Sequence, residues 1–453
     1  MPVFKPKTKT ARPAAMIVLS FVIIIAIGSL LLMLPISSMD DGFADPVTAV
    51  FTATSATCVN GLSVVDTGTY WSVFGQIIIL LMIQIGGLGF VTLVSFFNFM
   101  IRKKMELHSI QMASESVNTS GFYDVKLLVR YVIRVSFGCE FAGALLLMTS
   151  LVPKYGAYGM YISVFLSISA FCNAGFDILG TVEVPNCSLM PLSSDPVVMT
   201  VIPILIIAGG LGFMVWMDLI GYRRKKRLSL QTKIVLIFTV ILIVLGMALT
   251  LVTEWTNPST IGNMSAGGKL ANSFFYSVAL RSAGFGTIDS AALRSITKLF
   301  SIFIMFIGAA PCSTGGGIKI TTFAIVIMTV VSVIKNKNDT IIMGRKIDKE
   351  SVYKSISIIV LAAFIMCVTT TILFYSTDGV SGIDAAYETI SALATTGLSV
   401  GVSAVSKTFA RIILCLTMFI GRVGPVSFAI SISAKSENKN KNEVYPEGKL
   451  MVG

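Results

Sequence analysis

The sequence is poor in charge. Asp, Glu, Lys and Arg supply 13% of its 453 residues and apolar residues 54%, and mean hydropathy is +0.84. A water-soluble globule needs more polar surface than that, and a chain so rich in Ile, Leu, Val and Phe is not disordered. Histidine is nearly absent: the single one, His108, lies in a charged stretch, which excludes a histidine-based triad. The seven cysteines (58, 139, 172, 187, 312, 367 and 415) form no CxxC pair and are odd in number. Neither a disulfide framework nor a transition-metal centre is expected. No catalytic constellation and no ATPase motif is found, so the chain reads as no enzyme, and its driving force must be electrochemical. Most of this chain has lipid as its solvent.

Eight apolar runs have spanning length: 14–34, 74–101, 127–151, 196–220, 234–252, 299–334 (interrupted), 356–375 and 409–432. The first follows Lys5, Lys7, Lys9 and Arg12 and ends at Leu34-Pro35, not at a small-residue cleavage site, so it reads as a retained helix. Between the spans lie runs of about ten residues, 47–56, 161–171, 272–280 and 384–393. They are too short for a hydrocarbon layer of ~30 Å and read as re-entrant helices. Basic clusters at the N-terminus, at Arg102-Lys103-Lys104, at 223–227, at 335–354 and after 435 all fall on one side of this topology. Asp40, Asp41, Asp45, Asp66, Glu183, Asp195, Glu254 and Asp378 fall on the other, where Lys154 is a rare base. The basic side is therefore cytoplasmic, with both termini inside. The formal net charge of +12 is topology, not nucleic-acid binding, and only the 223–227 run reads also as a contact for anionic membrane lipid.

The short runs repeat. Gly61, Gly175, Gly284 and Gly397 end them at spacings of 114, 109 and 113 residues. Ten residues before each glycine stands an aromatic (Phe51, Phe165, Phe274, Tyr387) and five before, an alanine (Ala56, Ala170, Ala279, Ala392). Six before stands Ser55, Ser169 or Ser391, the third unit having Val278 instead. The expected fold is an all-α polytopic membrane protein, eight transmembrane helices in four helix–pore-helix–helix repeats around a pseudo-fourfold pore. The units are 1–108, 109–227, 228–346 and 347–453, the last with a short cytoplasmic tail. Non-helical backbone at membrane depth must line a wet cavity or be buried in protein, and a loop turning carbonyls inward uses angles open chiefly to glycine. Four such loops make a ring of oxygens that replaces a monovalent cation's hydration shell, with the helices' negative ends aimed at it. Close helix packing is the competing explanation, and it accounts poorly for four glycines in register.

The sixth run is broken at 308–317 by Gly-Ala-Ala-Pro-Cys-Ser-Thr-Gly-Gly-Gly, which cannot hold a regular helix. It lacks the Gly-Lys-[Ser/Thr] of a phosphate loop; a plain kink is its simpler reading. Arg422, flanked by Phe419-Ile420 and Val423, costs ~2.5–3.5 kcal/mol at membrane depth unless partnered. Glu140 is buried in another apolar run, with Arg134 or Arg130 as its expected structural partner. Gly86-Gly87-Leu88-Gly89 and Gly209-Gly210-Leu211-Gly212 resemble dinucleotide fingerprints but open no soluble helix, and close helix packing is expected there.

At TCVNGLSV, FCNAGFD, RSAGFGTID and ATTGLSV, followed by IGGLGF, AGGLGF, GAAPCSTGGGIKITTF and FIGRVGP, the chain resembles the Ktr/Trk/HKT superfamily of potassium transporters. The likeness covers essentially the whole chain, and its start directly before the first span points to the KtrB-type branch. The resemblance implies a selectivity filter at Gly61, Gly175, Gly284 and Gly397, flanked by Val59, Asn60, Asn173, Ala174, Ser282, Ala283, Thr395 and Thr396. Gly61, where sodium-preferring plant members carry serine, speaks for potassium. The resemblance also makes 308–317 an intramembrane gating loop below the filter, with Gly308, Pro311, Ser313, Thr314, Gly315, Gly316 and Gly317 in it and Arg422 against it. Lys319 is a weaker candidate for Arg422's role, with snorkelling to the cytoplasmic face its alternative. A potassium ion in the pore, no covalent cofactor, sodium dependence as a family trait, a homodimer, and a cytosolic ring of KtrA-type nucleotide-binding subunits follow by the same resemblance. So does a bacterial plasma membrane. The rivals are a sodium-selective uptake protein of this fold and an alternating-access carrier; the latter would show inverted repeats and midplane carboxylates, whereas these repeats are parallel.

Overall fold

The computed structural model describes residues 11–39, 42–89, 125–337 and 339–425. The 108/109 boundary, the 102–104 cluster, His108 and the tail beyond 425 lie outside them. The chain is an all-α membrane protein. Helix α1 (Ala11–Met33) leads to short α2 (Pro46–Thr57) and returns through α3 (Val73–Leu88). The second unit has α4 (Val125–Tyr155), short α5 (Ala157–Phe171), then α6 (Pro196–Gly210) and α7 (Phe213–Lys225). The third has α8 (Leu230–Glu254), short α9 (Ala266–Ala279), then α10 (Ser295–Phe306) and α11 (Ile320–Ile334) around a break. The fourth has α12 (Lys349–Ser376), short α13 (Gly382–Leu393) and α14 (Thr408–Val423). Helices α1, α4, α8 and α12 are long and apolar enough to cross a membrane, and large apolar side chains such as Leu30, Phe141, Val240 and Phe364 point outward along them.

Three of the four short helices begin on a side-chain cap: Asp45 accepts from Thr48 N, Ser265 from Gly268 N and Ser381 from Asp384 N. Asp195 caps α6 in the same way, accepting from Val197 N and Val198 N. Phe51, Phe165 and Tyr387 of the aromatic register are fully buried; Phe274 is half-buried, and its neighbour Phe275 takes the interior place.

The run expected as one span over 196–220 is broken. Helices α6 and α7 meet at 97° across Leu211-Gly212, where Gly212 has φ +88°. Close packing is also found: a Cβ on Gly209 would strike Phe171 O, and one on Gly86 would strike Thr57 O. In both places a glycine lets the helix cross against the end of a short helix.

Candidate functional site

Two or three positions past the end of each short helix stands a residue held in the left-handed region, with the repeat glycine two positions further on. The first residues are Val59 (φ +55°), Asn173 (+60°), Ser282 (+60°) and Thr395 (+49°); the glycines lie at +98°, +70°, +76° and +87°. In units one, two and four the residue before the glycine donates its N–H back to Ser55, Ser169 or Ser391 O at 2.8 Å, a Schellman-type closure. The third unit closes differently, Ala283 N donating to Ala279 O at 3.2 Å. Val59 and Thr395 are β-branched, and such a conformation costs about 1–3 kcal/mol. No residue type at that offset announced the strain; the signal was only position within the repeat.

The four glycines meet. A Cβ built on Gly61 would lie 2.6 Å from Ala174 O, one on Gly175 2.8 Å from Ala283 O, and one on Gly284 3.0 Å from Thr396 O. One on Gly397 would strike Asn60 O, which closes the circle. The carbonyl preceding each glycine therefore sits against the glycine of the preceding loop, in chain order around one axis. Asn60 Nδ2 ties loop one to Ser391 O (3.2 Å) and Ala392 O (3.0 Å), and Ser282 Oγ ties loop three to Ala394 O (2.9 Å).

The glycines face a cavity of about 380 Å³ that Asp66, Asp177 and Asp289 also line. Asp66 accepts from Thr69 N (2.8 Å) and Asn186 N (2.7 Å). Burial pushes the Asp177 carboxyl up to about 7, with Asp66 adding to the rise. Three carboxylates beside one small cavity attract cations.

Residues 307–319, which are not among the residues lining that cavity, pack against the ring loops. Ala310 N and Thr314 N donate to Gly210 O (3.1 Å) and Gly209 O (3.3 Å), and Phe213 N donates to Cys312 O (2.8 Å). Thr314 Oγ1 lies 3.0 Å from Asn173 Oδ1, and Gly316 N donates to Thr395 Oγ1 at 3.0 Å. A Cβ on Gly315 would sit 3.2 Å from Ser282 Cβ. The segment thus touches the strained residue of three loops. Ser313 Oγ closes back on Ala310 O (2.6 Å), and Gly308 N pairs with Ile318 O (2.9 Å). Pro311 sits in this turn, its carbonyl against Gly212. Arg422 donates from Nη1 to Thr314 O and from Nη2 to Gly86 O, so its charge is spent on carbonyls. Lys319 Nζ donates to Gly315 O, four residues back, at 2.7 Å, so it bonds a carbonyl of the same segment, next to the one Arg422 holds. Glu140 is held by Gln84 Nε2 at 3.0 and 3.2 Å, in place of the arginine expected for it. The glutamine side chain comes from α3 and reaches the carboxylate without a second buried charge.

This arrangement has relatives. The TrkH family profile, described as a cation transport protein, matches residues 5–443. The chain belongs to the TrkH family of cation transport proteins. It is 38% identical over 442 residues, 97% of each chain, to the Ktr system potassium uptake protein B of Bacillus subtilis. It is 34% identical, over 98% of each chain, to the potassium/sodium uptake protein NtpJ of Enterococcus hirae. The crystal structure of the potassium transporter TrkH from Vibrio parahaemolyticus superposes with a TM-score of 0.71 over 94% of this chain and 86% of that one, at 16% identity. The fold is therefore shared with the solved transporter, and the family is one of cation transport proteins.

Proposed function

We propose that this protein takes up potassium ions through the ring formed by Gly61, Gly175, Gly284 and Gly397. Residues 59–60, 173–174, 282–283 and 395–396 complete the filter, and the 308–317 loop gates it under the hold of Arg422. The observation that carries this reading is the closed circle of carbonyls with an irregular segment hydrogen-bonded to its loops. Four glycines in left-handed backbone leave no room for side chains, so oxygens are what a dehydrated ion meets. The names of the Bacillus relative and the solved transporter support potassium; that of the Enterococcus relative supports sodium as a second or coupled ion.

On the same reading the four units run 1–108, 109–227, 228–346 and 347–453, and the protein sits in a bacterial plasma membrane with both termini cytoplasmic. It acts there as a homodimer on a KtrA-type cytosolic ring, a partnership supported by the Ktr system named for its relatives. Purified protein in vesicles, given potassium and sodium separately and in competition, decides the ion. Uptake of potassium that sodium does not displace is expected; uptake of sodium in preference to potassium would transfer the assignment to the sodium-selective rival. Cysteines replacing Asp378 and Lys349 should label from outside and inside respectively, and the reverse pattern would invert the topology.

A further inference from the structure

Nine residues before the repeat glycine, the units differ sharply: Thr52, Leu166, Phe275 and Glu388. All four are buried, and Glu388 is wholly so. A carboxylate inside a re-entrant helix is costly unless its oxygens are filled by donors. Here every bond to it comes from the chain just past Gly397. Ser399 Oγ donates to Oε1 at 2.8 Å, Val400 N to Oε2 at 3.0 Å and Ser403 N to Oε1 at 3.0 Å. Among the described residues the group meets donors and no acceptor, which is the pattern of an ionised carboxylate. The segment it holds is no passive strut. Ser399, Val400 and Gly401 line the outer cavity, Ser399 Oγ also accepts from Gly401 N at 2.9 Å, and Ser403 Oγ reaches Ser63 O of the first loop at 3.4 Å.

Loop four has special need of such a hold. In loop one Ser55 Oγ accepts from Gly61 N at 3.2 Å, and in loop two Ser169 Oγ donates to Phe176 O at 2.7 Å, so the register serine pins the loop. Its counterpart in loop four, Ser391 Oγ, is buried with no partner among the described residues. The carboxylate three residues earlier replaces that pin with a stronger one.

We propose that Glu388 is a positioning residue for ion selectivity: by holding residues 399–403 it fixes the fourth side of the ring, including Gly397, at the spacing that suits potassium over sodium. This rests on the filter reading given above. The test measures potassium and sodium uptake per folded protein in vesicles, with thermal stability measured alongside. Glu388→Gln keeps the shape but turns one acceptor into a donor facing a backbone N–H, and should lower potassium-over-sodium discrimination roughly tenfold. Ser399→Ala should lower it in the same direction by a smaller factor, and it decides the matter if Glu388→Gln does not fold. Glu254→Gln, a buried carboxylate filled by donors away from the ring, should cost stability and leave discrimination unchanged. Unchanged discrimination in folded Glu388→Gln, or in Ser399→Ala where that variant decides, overturns the proposal. Gly397→Ser separates this failure from that of the filter reading: if it shifts selectivity while Glu388→Gln does not, only the role of Glu388 is lost, and if neither shifts it, the ring is not the filter.

Discussion

The ring loops and the 307–319 segment are both irregular backbone at membrane depth and both bond to other units, yet they rest on their own helices to different degrees. Loops one, two and four close on their own helix ends, through Asn60 N to Ser55 O and its counterparts. The crossing segment keeps some bonds of its own but leans heavily on other units: Gly209 and Gly210 O from the second, Thr395 and Arg422 from the fourth, and Asn173 from the second again. A part that carries its own bonds stays put when neighbours shift. A part whose bonds belong to neighbours is released when they move, which is what a gate requires and a filter must avoid.

The contrast is broken most directly at the ring. Gly175→Ala places a Cβ 2.7 Å from Gly284 Cα and strains a φ of +70°, so uptake should fall by at least about tenfold with the helices intact; near-normal uptake with circular dichroism unchanged would mean that the ring tolerates side chains. Gly61→Ser should raise sodium permeation relative to potassium, read as a ratio in the same vesicles.

Next in size comes the crossing segment. Arg422→Ala removes charge-assisted bonds worth about 1.5–3 kcal/mol each, and a roughly tenfold rise in potassium flux is expected. A fall in flux together with expression would instead make Arg422 a helix tie. Deleting 311–315 should raise flux too, and less than additively with Arg422→Ala, since both remove the Thr314 contact. Selectivity should also loosen in the deletion, because Asn173 loses Thr314. Unaltered selectivity would show the loops to be even more self-reliant than their bonds suggest.

The smallest expected effect lies in the outer cavity. With the Asp177 carboxyl at about 7, lowering external pH through neutrality protonates it and removes one negative charge, so uptake at limiting potassium should decline severalfold. Asp177→Asn should hold uptake at the low value and flatten the profile. The effect on stability is opposite: a carboxyl raised on folding from its ordinary value of 3.8 contributes most below that value, and the contribution is lost as pH rises through about 7. A pH profile unchanged by the substitution would remove Asp177 from the entrance.

Much of this was legible in advance because lipid narrows the choices: apolar length gives spans, short runs give re-entrant helices, and four glycines in register give convergence. Arg422 was legible for the same reason, a buried charge needing acceptors. What escaped is conformational. Val59, Asn173, Ser282 and Thr395 share no chemistry, only a backbone angle, so no composition rule finds them. The 97° turn after Gly210 was hidden inside an unbroken apolar run, and the partner of Glu140 was sought among charges when an amide sufficed. Glu388 stood in plain sight as an acid among apolar neighbours, but its partners lie past the glycine and could be assigned only once the loop was folded.

That turn after Gly210 has a mechanical meaning. Helix α6 ends with carbonyls that its own continuation would have used, and the change of direction leaves them to Ala310 and Thr314. Trp216 Nε1 braces the elbow by donating to Ala208 O at 2.9 Å, and Phe213 N grips Cys312 O from the far side. The elbow is therefore a crank: α7 is its long arm, running toward the basic end of the second unit, and the oxygens of Gly209 and Gly210 are its short one. Because the segment's bonds run to the short arm, a displacement of α7 would be felt first at the berth in which the crossing segment rests, and only through it at the ring.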